Sequence, residues 1–320
     1  MSLLPVSPAH ALAECPVERR WLIDGLWADQ AVGIVGGEPK CCKSFLALDM
    51  AVAVASGAPC LRRFPVTQTG RVLLYAAEDA LHVVRRRLVG ICRAAGVALE
   101  ELDLQVITAP TLRLDLADDQ ARLLATVKAL RPRMLVLDPF VRLHRVDENV
   151  AGAVAPLLAY LRDLQRSFQV AVVVVHHARK GAGNTRGGQA LRGSSEFHAW
   201  VDVTLYLRRL DDRILLAAEH RAAPSLDAVP LALVGTGDAL ALEIHAAPAS
   251  APGPPPLLTP LDKVAQVLAQ SPMPLTVDDI RRACHIRTAH VCEALNVLVR
   301  NGRVRKTGAG YQRADAGAGA

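Results

Sequence analysis

The sequence predicts an α/β fold with a mostly parallel sheet, followed by a small C-terminal domain of helices and one hairpin. Three observations carry this. Runs such as Met134-Leu-Val-Leu-Asp138 and Val170-Ala-Val-Val-Val-Val175 are apolar at successive positions, which marks strands covered on both faces. Such runs alternate with helix-period patterns from residue 32 to about 245, the order expected of strand–helix–strand units. The stretch Ala246-Ala-Pro-Ala-Ser-Ala-Pro-Gly-Pro-Pro-Pro256 then interrupts the alternation; a proline-rich segment of this kind is an extended, fairly stiff linker.

In chain order, residues 1–30 read as an irregular lead-in, with Trp21 and Trp27 packing onto the core. Within a core domain of 31–245, strands are expected at 32–35, 71–76, 104–107, 134–137, 170–175, 201–207 and 214–218. Helices are expected at 43–56, 79–95, 117–130 and 151–168, with a short one near 194–199. The linker covers 246–258. Beyond it, Thr259-Pro260 opens a helix to Ala269, Thr276 caps a second to Ala283, and a third runs from Thr288 to Arg300, ending at Asn301-Gly302,. Residues 303–313 read as a β-hairpin. Three short helices and a hairpin over 259–313 make a winged helix-turn-helix, and the Gly/Ala tail 314–320 is expected to be disordered,.

Half of the 320 residues are hydrophobic, ample for a real core,. Polar residues interrupt every apolar stretch before it reaches the length of a membrane span,. The N-terminus has no basic region followed by an apolar one, so it does not read as a signal peptide, and the expectation is a cytoplasmic chain without membrane contact,. The seven cysteines include no C-x-x-C pair, which fits free thiols better than a disulfide framework. The net charge of +6 fits nucleic-acid contact,.

The most informative segment is Gly37-Glu38-Pro39-Lys40-Cys41-Cys42-Lys43-Ser44-Phe45, which follows the first core strand and opens the first long helix. It is a phosphate-binding P-loop in which Cys42 stands where the last glycine belongs. In such a loop successive backbone N–H groups form an anion nest and the helix adds its positive end. Lys43 then reaches the β- and γ-phosphates of a nucleoside triphosphate, and the Ser44 hydroxyl belongs on Mg²⁺. A cysteine held in the glycine's conformation costs on the order of 1 kcal/mol and brings a Cβ toward the phosphates.

Further candidates lie at strand ends. Asp138 closes an apolar run, the position from which a carboxylate orders the Mg²⁺ shell,; capping a turn before Pro139 is the alternative. Glu78 follows the strand 71–76 and is placed to act as general base toward water, while Asp79 is placed to cap the next helix,. His176 and His177 end another strand, where a polar residue can contact the γ-phosphate. They do not make a metal pair, because neighbours on a strand point to opposite faces. Residues 178–193 hold Arg179, Lys180, Arg186, Arg192 and five glycines. This basic loop suits a nucleic-acid backbone, with a solvated loop as the alternative. Arg221 follows the last strand before the linker and is a candidate arginine finger acting on a neighbouring subunit,.

Taken in order, the loop 37–45, Leu74-Tyr-Ala-Ala-Glu-Asp79, Leu135-Val-Leu-Asp-Pro139, and His176-His-Ala-Arg-Lys with Leu191-Arg-Gly-Ser-Ser195 resemble the RecA-like ATPases of the plasmid RepA and DnaB hexameric helicase group. The resemblance spans residues 20–235 or so. It implies a RecA-like P-loop core and a ring, usually a hexamer, with ATP and Mg²⁺ between subunits. It also implies roles: Lys43 and Ser44 in the P-loop, Glu78 as catalytic base, Asp138 on the metal, His177 as γ-phosphate sensor, the loop from 178 as the DNA loop of the central channel, and Arg221 as finger. Two departures stand out. Cys42 replaces a glycine, and Glu219 replaces the lysine of the family's Lys-x-Arg finger. The winged helix lies outside the match; its Arg303, Arg305 and Lys306 are placed for duplex phosphate,. The expected function is therefore an ATP-driven motor or helicase on single-stranded DNA, in plasmid or mobile-element replication. The alternative is a DNA-bound regulatory or assembly ATPase with weak hydrolysis, its winged helix marking a duplex site.

Overall fold

The computed structural model describes residues 6–9, 21–177, 195–210, 213–236, 239–245, 260–271, 273–284 and 288–314. The chain divides into two compact units, Met1–Ala246 and Ala247–Ala320.

The first unit is built on a nine-stranded sheet. Its parallel part comprises β3 (Val32–Gly37), β4 (Val72–Ala76), β5 (Leu104–Val106), β6 (Met134–Asp138), β7 (Ala171–His177) and β8 (Val203–Leu210) in the order β5-β4-β6-β7-β3-β8. Side chains alternate between two cores along each central strand. Ile34, Leu73, Leu135, Val172 and Val174 face one core, and Val35, Leu74, Val136, Val173 and Val175 face the other. That double burial is why these strands read as unbroken apolar runs. Helices α1 (Lys43–Ser56) and α2 (Leu81–Ala95) contribute to one core, and α3 (Ala117–Leu130), α4 (Ala151–Phe168) and α5 (Ser195–Trp200) to the other.

Helix α1 is buried from Leu46 to Val54 and stops at Gly57, whose φ of 85° and N–H···O bond to Ala53 (2.7 Å) form a left-handed cap,. Helix α2 buries Val84, Leu88, Ile91 and Cys92, an i, i+4, i+7, i+8 stripe,.

Three corrections to the sequence reading follow. Residues 21–28 are not irregular: β1 (Trp21–Ile23) and β2 (Trp27–Ala28) form a short antiparallel pair, with Trp27 fully buried and Trp21 edge-on to His220 at 5.1 Å. The sheet does not end near residue 218, because β9 (Arg213–His220), β10 (Leu226–Thr236) and β11 (Ala239–Ile244) extend it by antiparallel pairing beyond β8. Strand β10 carries both Pro230 and Gly235 inside it, residues that ordinarily argue against a strand. Strand β11 reaches α2, where a Cβ on Gly90 would come within 2.6 Å of the Leu240 carbonyl oxygen. Finally, α2 begins at Leu81, and its N-cap Ala80 makes no side-chain cap bond. Asp79 instead ion-pairs with Arg87, one turn and more along the helix.

The second unit contains α6 (Pro260–Gln270), α7 (Val277–Cys284), α8 (Thr288–Arg300) and a hairpin of β12 (Val304–Thr307) and β13 (Gly310–Arg313). Val264, Leu268, Ile280, Val291, Leu295, Leu298 and Val304 form its core. Thr276 accepts from the Asp279 N–H (3.3 Å) and donates to its carboxylate (2.6 Å), a reciprocal cap at the start of α7,. Leu275 pairs with Tyr311 and so ties the chain before α7 to the hairpin. The expected linker 246–258 lies outside the described residues. No described helix is long and apolar enough to cross a membrane, and the described cysteines are free.

Candidate functional site

Parallel strands deliver their carboxyl ends to one edge of a sheet, and loops there can converge. Strand β3 pairs with β7 at Gly37↔His177 and with β8 at Gly37↔Leu207, while β4 and β6 meet at Ala76↔Asp138. The register therefore brings the loop 37–45, Glu78, Asp138 and His177 to the same edge.

The loop turns through three positive-φ residues: Gly37 (152°), Lys40 (62°) and Cys42 (64°). A Cβ at Gly37 would lie 2.2 Å from the Leu207 carbonyl oxygen, so only glycine fits there,. Cys42 is the N-cap of α1 in the left-handed conformation and makes no side-chain cap bond. The first-turn N–H groups of α1 therefore have no side-chain acceptor and face outward from the helix end, the arrangement that receives a phosphate. The Glu38 carbonyl accepts from both the Lys43 ammonium (2.7 Å) and the Cys41 thiol (2.8 Å), which closes the loop on itself. Burial lowers the Lys43 pKa, with Cys41 and Asp138 opposing the shift. Burial raises the Cys41 thiol to about 11 and raises that of half-buried Cys42 as well, so both are protonated near neutrality. Arg209 of β8 donates to the Lys40 carbonyl at 3.1 Å, and the Arg87 guanidinium lies 5.2 Å from the Phe45 ring.

Asp138 is buried (7% exposed). Burial lifts its pKa to about 6, although a hydrogen bond from the Ser44 side chain works in the opposite direction. A carboxylate and a hydroxyl held together beside a buried lysine match the donor set of a P-loop magnesium site, so these residues fit Mg²⁺ and a triphosphate. Glu78 is exposed, and its charge is felt at both Lys43 and Asp138. Its carboxylate accepts from Arg142 Nε at 2.9 Å. His177 is half-buried opposite Gly37. His176 points the other way: it is buried, its Nδ1 lies 2.7 Å from the His177 carbonyl oxygen, and its ring meets Phe197 edge-on at 4.5 Å. Burial lowers its pKa.

Arg221 is not brought to this edge. Its N–H bonds to the Asp202 carbonyl (2.9 Å), and Asp202 bonds to Val32 at the opposite end of β3. About five residues of strand, roughly 16 Å, separate it from the loop, so it does not act on its own chain's site. Its side chain is about half exposed, and its guanidinium lies 3.4 Å from Asp202. Arg179, Lys180, Arg186 and Arg192 lie outside the described residues. In the second unit Arg303, Arg305, Lys306 and Arg313 are all exposed on the hairpin and its approach. Arg87, Arg142 and Arg209 were missed by sequence reasoning. Each reaches the site through a contact far along the chain or on a strand tip, and no spacing in the sequence signals it.

A family model described as AAA domain matches residues 2–183. Among solved structures, one of a DnaB-like replicative helicase, described with its interactions with primase, superposes with a TM-score of 0.51 at 14% identity. The match covers 67% of this chain and 57% of that one, so this chain spans little more than half of the helicase. A crystal structure of the RadB recombinase matches at a TM-score of 0.48 and 18% identity, over 68% of this chain and 92% of that one. The first likeness is one of fold: a RecA-like P-loop core with a mostly parallel sheet.

Proposed function

Because the chain belongs to the AAA domain family, we propose that it is an ATP-driven motor that acts on DNA, with helicase action as its specific form. The observation that supports this best is the convergence of buried Lys43, the Ser44–Asp138 pair and exposed Glu78 at one sheet edge. In this reading the loop 37–45 and the α1 terminus bind the triphosphate, and Lys43 neutralises its terminal oxygens. Ser44 and Asp138 would hold Mg²⁺, which would supply positive charge beside the phosphates. Glu78 positions and deprotonates the attacking water, and His177 contacts the terminal phosphate. The basic segment from Arg179 to Arg192 tracks a single strand. Arg221, distant from its own loop, serves a neighbour's site, which calls for head-to-tail contacts and a ring, a hexamer in the simplest case.

The second unit supports a winged-helix reading. Its third helix α8 exposes Asn296 and Arg300 on the face opposite its core residues and His290 at the flank of that core face,, and the hairpin supplies exposed cations for duplex phosphate. Such a duplex-binding module fits replication of a plasmid or mobile element. A regulatory or assembly ATPase is the second reading, favoured by the left-handed Cys42 inside the nest. ATPase rate with and without single-stranded DNA separates the two. A motor turns over faster on DNA and loses turnover with Lys43→Ala; a rate indifferent to single strands supports the regulatory ATPase.

A further inference from the structure

Glu78 is an exposed side chain on an irregular segment, and a general base must present its carboxylate in one direction. Two contacts restrict it. The Ala77 N–H bonds to the Asp138 carbonyl at 2.7 Å, tying the main chain just before Glu78 to the tip of β6. Arg142 Nε then donates to Glu78 Oε1 at 2.9 Å. Arg142 ends the turn Phe140–Arg142 that follows Asp138 and Pro139. The base of this arm is fixed: Phe140 and Leu143 are fully buried, and Leu143 bonds to Phe140 (2.8 Å) and accepts from Leu114 (2.6 Å). The Arg142 side chain is 62% exposed, so packing does not force it onto Glu78.

We propose that Arg142 is a positioning residue for Glu78, orienting the carboxylate toward the nucleotide edge; this rests on Glu78 being the general base. The five residues from Asp138 to Arg142 thereby link the metal-ordering carboxylate and the base in one rigid turn. An exposed ion pair contributes little to stability, so the contact matters for orientation. Removing it releases the glutamate's rotamers, which lowers the fraction of correctly aimed carboxylate by about three- to tenfold.

The test is ATPase kinetics on the full chain. Arg142→Ala is expected to lower kcat by about three- to tenfold with KM for ATP nearly unchanged, since among the described residues the ion pair of Arg142 is with Glu78 and not with the P-loop,. Arg142→Lys, which keeps the charge, recovers part of the loss. In a Glu78→Gln background, where the base is gone, Arg142→Ala has no further effect. A thermal midpoint equal to wild type shows that the fold is intact. An unchanged or raised kcat in Arg142→Ala, a rise in KM alone, or the same fractional loss in the Glu78→Gln background overturns the proposal. Glu78→Gln turning over at the wild-type rate overturns the general-base reading itself, and with it this one; Glu78→Gln inactive with Arg142→Ala at full rate overturns only the role of Arg142.

Discussion

Replacing Cys42 with glycine tests how the P-loop departure acts. Cys42 has φ 64° and ψ 27° and caps α1 with no side-chain bond. An L-residue in this conformation carries about 1–2 kcal/mol of strain. Glycine relieves it but loses about 0.5–1 kcal/mol to its freer unfolded chain. The two nearly cancel, so Cys42→Gly is expected to change stability by less than about 1 kcal/mol. Binding responds differently. Burial keeps the thiol protonated, so it contributes bulk and no charge where phosphate oxygens approach the backbone N–H groups. Removing Cβ and Sγ is expected to tighten Mg²⁺–ATP binding by about three- to tenfold, or roughly 0.7–1.4 kcal/mol. Cys42→Val, β-branched in the same conformation, is expected to weaken binding and to destabilise the chain. Titration calorimetry gives the affinities and thermal denaturation the stabilities. Equal affinity in the cysteine and glycine proteins, or a valine protein that binds like wild type, refutes the crowding argument.

Three other outcomes are expected. Asp138 titrates near 6 in the folded chain against an ordinary 3.8, so between about pH 4 and 6 the native state holds a proton that the unfolded state has lost. Its contribution therefore falls as pH rises through that window, by up to about 3 kcal/mol; denaturant unfolding in the absence of Mg²⁺ should show this fall, and Asp138→Asn should flatten it. Mixing Arg221→Ala with Lys43→Ala subunits should restore some ATPase activity at mixed interfaces; full activity of Arg221→Ala as a strict monomer excludes a role in trans. Arg305→Ala with Lys306→Ala should weaken duplex binding evenly across sequences and reduce the slope of log affinity against log salt by about 2, and an unchanged slope removes the hairpin from the interface.

Much of the core was legible because its cause is local. The apolar runs of β6 and β7 are buried on both faces, and α1, α3 and α4 span 43–56, 117–130 and 151–168 as their periodicity indicates. The loop at 37–45 was legible because its chemistry needs particular residues at fixed spacing. Tertiary structure alone decided the rest. Strand β10 contains both Pro230 and Gly235, and β10 and β11 form because β9 offers an edge to pair with and α2 packs on β11 at Gly90. Asp79 turned from a cap to an ion pair because Arg87 comes within reach on the folded helix. The contacts of Arg142 with Glu78 and of Arg209 with Lys40 join residues 64 and 169 positions apart. No local pattern encodes such pairs. Residue type and spacing determine which groups can do chemistry, while the register of parallel strands determines which of them meet at one edge.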